Sequence, residues 1–230
     1  DPFSWFCLGQ ALQAGDPAGA ETIACYEQAL ALLGPAQRDE SYLAALWINL
    51  VRALVRAGRA REALDRAACG LRDFPDAPDL HFLRGKLLLD AGEPAAAARE
   101  LEACLTPAAT GFFLRQDPGA AGFAARTQLA ICHLKLGDPA RAMDGLRQAA
   151  AVAPPAFHLP RLLLGVLLVA GGAADEGEPL LRALVAQRPD DRDARLHWGR
   201  ALLAQRRRGD AERALAPLAG DARAARLLDG

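Results

Sequence analysis

The 230-residue chain is expected to be all-α, built as a stack of helix pairs, and three observations lead there. Small and apolar residues recur at a fixed offset: Gly58 and Gly92 lie 34 apart, as do Ala63 and Ala97, and as do Ala67 and Leu101. A period of that length marks units that cannot bury an apolar face alone and must stack on their neighbours. No run alternates apolar and polar residues with β-branched enrichment, so strands are not expected. Ala, Leu and Arg dominate, and all three favour helix. At this length one core would be large, but a one-dimensional stack is ordinary. One domain over 1–230 is expected, interrupted by an insertion at about 106–122.

Taken in order, a degenerate first copy reads Trp5, Leu8, Gly9, Leu12, Gly15, Tyr26, Ala29 and Leu30. The second, best-kept copy is Trp47, Leu50, Val51, Leu54, Gly58, Ala63, Ala67, Gly70 and Pro75; the third is His81, Arg84, Gly85, Leu88, Gly92, Ala97, Leu101 and Cys104. Gly92 to Gly137 is 45, a period plus 11 inserted residues, and leads into Leu129, Ala130, His133, Gly137, Ala142, Leu146, Ala149 and Pro154. The fifth, Leu164, Gly165, Leu168, Gly172, Gly177, Leu181, Leu184 and Pro189, is offset by 35 because one residue enters at Pro154-Pro155. Trp198, Gly199, Leu202 and then Gly209 or Ala211 suggest a sixth copy whose turn register is open, and Asp221 to Leu228 reads as a short amphipathic closing helix.

This pattern resembles the tetratricopeptide repeat. The resemblance implies a right-handed superhelical solenoid of about six repeats plus a capping helix. It also implies a concave surface that holds another molecule and carries no chemistry by default. Each residue type has a reason. A Gly or Ala on the first helix and an Ala early in the second let the two helices approach closely, so Gly85→Leu should overpack the contact. Gly58, Gly92 and Gly137 follow helical runs, where a left-handed residue is cheap only without a Cβ. Pro75, Pro154 and Pro189 end second helices by removing a donor.

Composition excludes several classes. Basic and acidic residues number 27 and 28, interspersed, for a net charge of -1, so nothing favours a nucleic-acid partner. The basic residues are nearly all Arg, only Lys86 and Lys135 being Lys, which is read as a GC-rich bacterial genome. Cys7, Cys25, Cys69, Cys104 and Cys132 are odd in number and far apart, without metal-ligand spacing. They are expected to be free, buried and apolar in a reducing cytoplasm. No cofactor is expected. No signal peptide precedes the first helix, and a chain opening at Asp1 without Met is expected to be a fragment or processed form. Leu162 to Ala170 is the most apolar run, but at about half the roughly 20 residues that span a bilayer it reads as a buried repeat helix.

Three motifs invite chemical readings. Asp191-Arg192-Asp193 spells a metal-binding D-x-D, yet it follows Pro189 and precedes a helical run, where acids cap and charge a helix start. Arg208-Gly209-Asp210 matches an adhesion tripeptide and is assigned to a solvated turn of the sixth repeat. His81, His133, His158 and His197 show no i, i+4 pairing and no neighbouring nucleophile at a strand-to-helix turn, so a catalytic triad is unsupported. His81 and His133 are read as structural.

The repeat resemblance implies that the groove is lined by the first helix of each unit, one residue past the small residue and one turn earlier. The earlier row is then Phe6, Ile48, Phe82, Thr127, Leu162 and Leu196; the later row is Gln10, Arg52, Lys86, Ile131, Val166 and Arg200. Arg56 adds charge one turn beyond Arg52. The partner expected there is a protein or peptide, acidic with apolar anchors. The chaperone-tail clamp of this family uses Asn in the later row, and Asn49 lies elsewhere. The competing reading is a generically solvated inner face.

Three further stretches carry a second resemblance: Asp1-Pro2-Phe3, Asp79 to Gly85, and the insertion Gly111-Phe112-Phe113 to Gly122 followed by Phe123-Ala124-Ala125-Arg126. Together they resemble the tetratricopeptide tail behind a bacterial family-two glycosyltransferase domain, with Ala where that tail carries Lys. This implies a non-catalytic accessory tail that recruits an acceptor or partner; the catalytic module itself is absent. Phe112, Phe113 and Leu114 read as a plug on the array or a docking contact. The alternatives are a self-associating adaptor and, less favoured, an enzyme using the histidines or Asp191 and Asp193.

Overall fold

The computed structural model describes residues 1–34, 42–106 and 120–229, which divide into two compact units, Asp1–Leu136 and Gly137–Gly230. Among the described residues there is no strand. The first unit contains α1 (Pro2–Gly15), α2 (Ala20–Ala31), α3 (Leu43–Arg56), α4 (Ala60–Asp73), α5 (Pro78–Asp90), α6 (Pro94–Leu105) and α7 (Ala125–Lys135). Each packs on the next, and the first helices α3, α5 and α7 also touch in sequence. The second unit contains α8 (Pro139–Val152), α9 (Leu159–Ala170), α10 (Ala174–Gln187), α11 (Arg192–Ala204), α12 (Arg208–Leu215) and α13 (Ala222–Asp229). There, too, consecutive helices pack, and α13 rests on α11 and α12.

The expected punctuation is realised. Asp1 caps α1 by accepting from the Phe3 amide at 3.1 Å and the Ser4 hydroxyl at 2.8 Å. Pro75, Pro154 and Pro189 each follow directly on the C-cap residue of α4, α8 and α10. Gly58 takes φ +73°, with its amide bonded to the Val55 carbonyl and the Arg59 amide to that of Leu54, which together close the end of α3.

The sixth turn departs from expectation. Arg206, not Gly209, is the left-handed residue, at φ 60°, and the same two bonds run from Arg206 to Leu203 and from Arg207 to Leu202. Arg208-Gly209-Asp210 is therefore the first turn of α12, not the inter-helix turn, and Asp210 is engaged by Arg207 and Arg213. The insertion also ends earlier than expected. Ala120–Ala124 forms a π-helical turn leading into α7. Phe112, Phe113 and Leu114 lie outside the described residues.

Packing within pairs rests on size complementarity 16 residues apart. A Cβ on Gly85 would stand 2.8 Å from Leu101 Cγ, one on Gly165 2.8 Å from Leu181 Cγ, and one on Gly199 2.7 Å from Leu215. In the second pair the order reverses: Val51 stands on the first helix and Ala67 on the second, both at 0% exposure in one core. The small residue can sit on either side provided the other is large.

Polar pins hold helix ends. Trp47 Nε1 donates to Asp73 at 3.1 Å, Arg161 to the carbonyls of Ala150 at 2.9 Å and Ala153 at 2.7 Å, and Arg195 to those of Pro189 at 2.7 Å and Ala214 at 3.1 Å. Each arginine satisfies carbonyls that a helix leaves open, at its negative end. His81 does the same for Pro75 O through Nε2 at 2.7 Å, while Nδ1 faces Glu100 Oε2 at 2.7 Å. Both partners only accept, so the ring donates from both nitrogens and is cationic. Burial pulls the His81 pKa down, but the bonds to Glu100 and Pro75 and the charge of Glu100 outweigh it, and the net shift is upward. Burial likewise raises Glu100, and His81 with Arg84, which also donates to it, outweighs that and leaves its carboxyl lowered.

Gly85→Val is expected to cost roughly 1–3 kcal/mol by overpacking. Adding Leu101→Ala, which recreates the Val51/Ala67 order, should make the double variant less destabilised than the two single effects summed; urea denaturation of all three measures the coupling. Arg206→Gly should stabilise by about 1 kcal/mol in the same assay, since it relieves a left-handed residue carrying a Cβ. The His81 contribution is full below the ordinary histidine value and lost as pH rises through the raised folded one. The stability gap between wild type and His81→Gln should therefore narrow as pH rises above the ordinary histidine value of about 6.5, read by denaturation at each pH.

Candidate functional site

The expected groove rows separate into buried and accessible members. In the first unit Phe6 and Ile48 are 5% and 4% exposed and belong to the α1–α5 core. Thr127 is fully buried, its hydroxyl donating to the Phe123 carbonyl at 2.6 Å. These three are corrected from groove lining to core. A side chain one turn before the small residue points as much at the neighbouring helix as at the inner face. Gln10, Arg56 and Lys86 are exposed, and Phe82 and Ile131 are half-buried.

Arg52 is the second correction. Its guanidinium donates to Asp79 at 2.8 Å, and Asp79, in the first turn of α5, is only 3% exposed. A buried carboxylate requires such a partner, so Arg52 ties α3 to α5 and is not a charge held ready for a ligand. Arg56 and Lys86 have no ion-pair partner among the described residues. Asn49, which the sequence places off the groove rows, is buried next to Tyr26, whose hydroxyl is pushed up to about 12 by its own burial.

In the second unit Leu162 and Val166 are half-buried on α9. Arg200, on α11, borders a hollow of about 300 Å³ with Asp193, Leu196, His197, Arg223, Arg226 and Leu227. Leu196 forms its buried floor, in one apolar cluster with Leu215, Leu218 and Ala224. Arg223 is engaged, donating to Asp193 at 3.0 Å and to Asp221 at 3.4 Å. Arg192 also reaches Asp221, at 3.0 Å, and the pairs pin α13 against α11. Burial lowers the His197 pKa, helped by Arg200 and Arg223 and opposed by Asp193, so the ring is neutral at pH 7. Arg223 and Arg226 were missed in the sequence because a closing helix was read only for its apolar face. Their i, i+3 spacing was the available signal.

A larger hollow of about 530 Å³ lies against α2, α3 and α4, but its charged lining is already engaged, Arg66 with Glu27 at 2.9 Å and Arg72 with Cys69 at 3.0 Å.

The chemical motifs are engaged structurally. Asp191 caps α11 by accepting from the Ala194 amide at 3.0 Å, and Asp193 is paired with Arg223. His158 accepts from Arg188 through Nδ1 at 2.9 Å, which leaves the proton on Nε2, 3.5 Å from Asp191. Among the described residues no three His, Cys, Asp or Glu side chains gather as a metal site. All five cysteines are free, but burial holds only for Cys25, Cys104 and Cys132; Cys7 is exposed and Cys69 partly so. Their burial pushes the Cys132 thiol up to about 11 and, with help from Glu21, raises Cys25. Among the described residues no helix is long and apolar enough to cross a membrane.

No family model and no curated protein matches the sequence. Solved structures do resemble its fold. YrrB, described as a TPR protein with an unusual peptide-binding site, aligns with TM-score 0.66 at 19% identity over 83% of this chain and 94% of its own. A tetratricopeptide repeat protein from Parabacteroides merdae aligns with TM-score 0.68 at 16% identity, covering 94% of this chain and 78% of that one. MamA aligns with TM-score 0.63 at 15% identity over 83% and 94%. At such identity the likeness speaks for the fold alone: this chain has an all-α helical-repeat fold like that of these tetratricopeptide repeat proteins.

Proposed function

We propose that the chain is a non-catalytic scaffold that binds a protein or peptide, and that α3, α5 and α7 of the first unit carry the contact. The observation behind this is a pair of exposed, unpaired cations, Arg56 and Lys86, with half-buried Phe82 one turn from Lys86 and Ile131 on the adjoining α7. Arg52, the third cation of the expected groove, is already paired with Asp79, so Arg56 and Lys86 have more to gain from an anion. An acidic segment with apolar anchors suits them. The shared fold with YrrB supports a peptide ligand. The free cysteines suit a reducing cytoplasm. The resemblance of Asp79 to Gly85 and of Gly122 to Arg126 supports the narrower reading, an accessory tail that recruits an acceptor or partner to a family-two glycosyltransferase. A transferase domain encoded upstream of Asp1 would bear on that directly.

A second reading, self-association, draws on α1, which exposes Phe3 at 50%, Trp5 at 37% and Leu8 at 45%. Light scattering across concentrations separates the two. A mass that rises with concentration and returns to the monomer value in Trp5→Asp favours the second.

Panning a peptide library on the chain should enrich acidic sequences with apolar anchors. Arg56→Glu with Lys86→Glu should weaken the selected peptide at least about tenfold and flatten its salt dependence, with helical circular dichroism unchanged. Arg52→Glu is expected to unfold the α3–α5 junction instead, because it sets two carboxylates against each other at a buried site. Equal binding by the Arg56/Lys86 variant would remove the assignment.

A further inference from the structure

We propose that the hollow between α11 and α13 is a binding site for a carboxylate borne on an apolar group, with Arg200 and Arg226 taking the carboxylate and Leu196 and Leu227 the apolar part. The site lies wholly within residues 137–230 and does not rest on the peptide-binding reading of the first unit.

Three arginines and one aspartate face the hollow. Arg223 is committed to Asp193 and Asp221, an arrangement that holds α13 in place and offsets the one acid in the lining. Arg200 on α11 and Arg226 on α13 have no hydrogen-bond or ion-pair partner among the described residues. Two like charges on facing helices repel, and an anion between them converts that repulsion into two charge-assisted contacts. Guanidinium forks match a carboxylate in this role. His197, half-buried and neutral, adds one N–H donor at the wall.

Shape and polarity narrow the ligand. At about 300 Å³ the hollow is at the small end of ligand pockets, enough for one side chain with its carboxylate and no more. Leu196 and Leu227 continue into the apolar cluster of Leu215, Leu218 and Ala224. Inorganic phosphate would satisfy the arginines and leave the leucines unserved, whereas a hydrocarbon would do the reverse. An apolar-substituted carboxylate serves both. It has two natural sources, a free small acid and the C-terminal residue of a peptide. Because the ligand would touch both α11 and α13, binding also braces the closing helix.

The test uses the full chain with four probes: N-acetyl-leucine, its neutral amide, inorganic phosphate, and a pentapeptide of four alanines ending in a free-acid leucine. Titration followed by amide chemical shifts should show saturable binding of N-acetyl-leucine with shifts confined to α11 and α13, and none with the amide or phosphate. At about 100 times Kd the α13 amides that exchange by undocking should slow by roughly a hundredfold. Arg200→Gln and Arg226→Gln, which break no existing pair, should each weaken binding by roughly ten- to a hundredfold. Binding of the pentapeptide at least as tight as the free acid assigns the site to a peptide terminus, and binding of the free acid alone assigns it to a small molecule. Equal binding of acid and amide, a response to phosphate alone, or no response to either carboxylate overturns the proposal, and none of these results bears on Arg56 and Lys86.

Discussion

How closely two paired helices can approach is the constraint on which the remaining structure depends. A repeat unit has no core of its own and gains burial only where its helices meet and where it meets its neighbours. At the central contact the gap accommodates one large side chain, not two. Leu101 fills it against Gly85, Leu181 against Gly165 and Leu215 against Gly199, whereas Val51 fills it from the other helix against Ala67. Gly177 shows the limit of this closeness, since a Cβ there would lie 2.8 Å from the Gly165 carbonyl oxygen. In these four pairs the two side chains together carry the same number of carbons, in keeping with interiors that pack near crystal density.

The ends of these helices leave open carbonyls that need partners. One position per repeat ties down the preceding helix with changing chemistry: Trp47, which reaches the Asp73 carboxylate, and His81 lie 34 apart in the first unit, and Arg161 and Arg195, which like His81 reach main-chain carbonyls, 34 apart in the second. A basic side chain is suited to the task by the negative end of the helix dipole. Much of the arginine content is therefore structural, and so is Arg52, whose partner Asp79 is buried. Arg56, Lys86, Arg200 and Arg226 are not used in this way: they have no ion-pair partner among the described residues.

Legibility in the sequence followed the same physics. Pair order, the closing helix and most turns could be read because glycine at a left-handed position and proline after a C-cap are local requirements, written within a few residues. The sixth turn could not, because Arg206 bears the left-handed conformation without being glycine while Gly209 lies nearby inside a helix. The groove rows were half legible. Spacing placed Phe6, Ile48 and Thr127 on the right helices, but whether such a residue faces solvent depends on a neighbour one repeat away. The pairing of Arg52 with Asp79 spans 27 residues and carries no motif.

The sequence alone determined the helical class, the repeat period and most of the inter-helix turns, since backbone preference and apolar periodicity act over single turns. Only the tertiary structure decided which charged groups remain unpaired. Burial and ion pairing are properties of side chains from different helices meeting, and no local pattern encodes a meeting between α11 and α13.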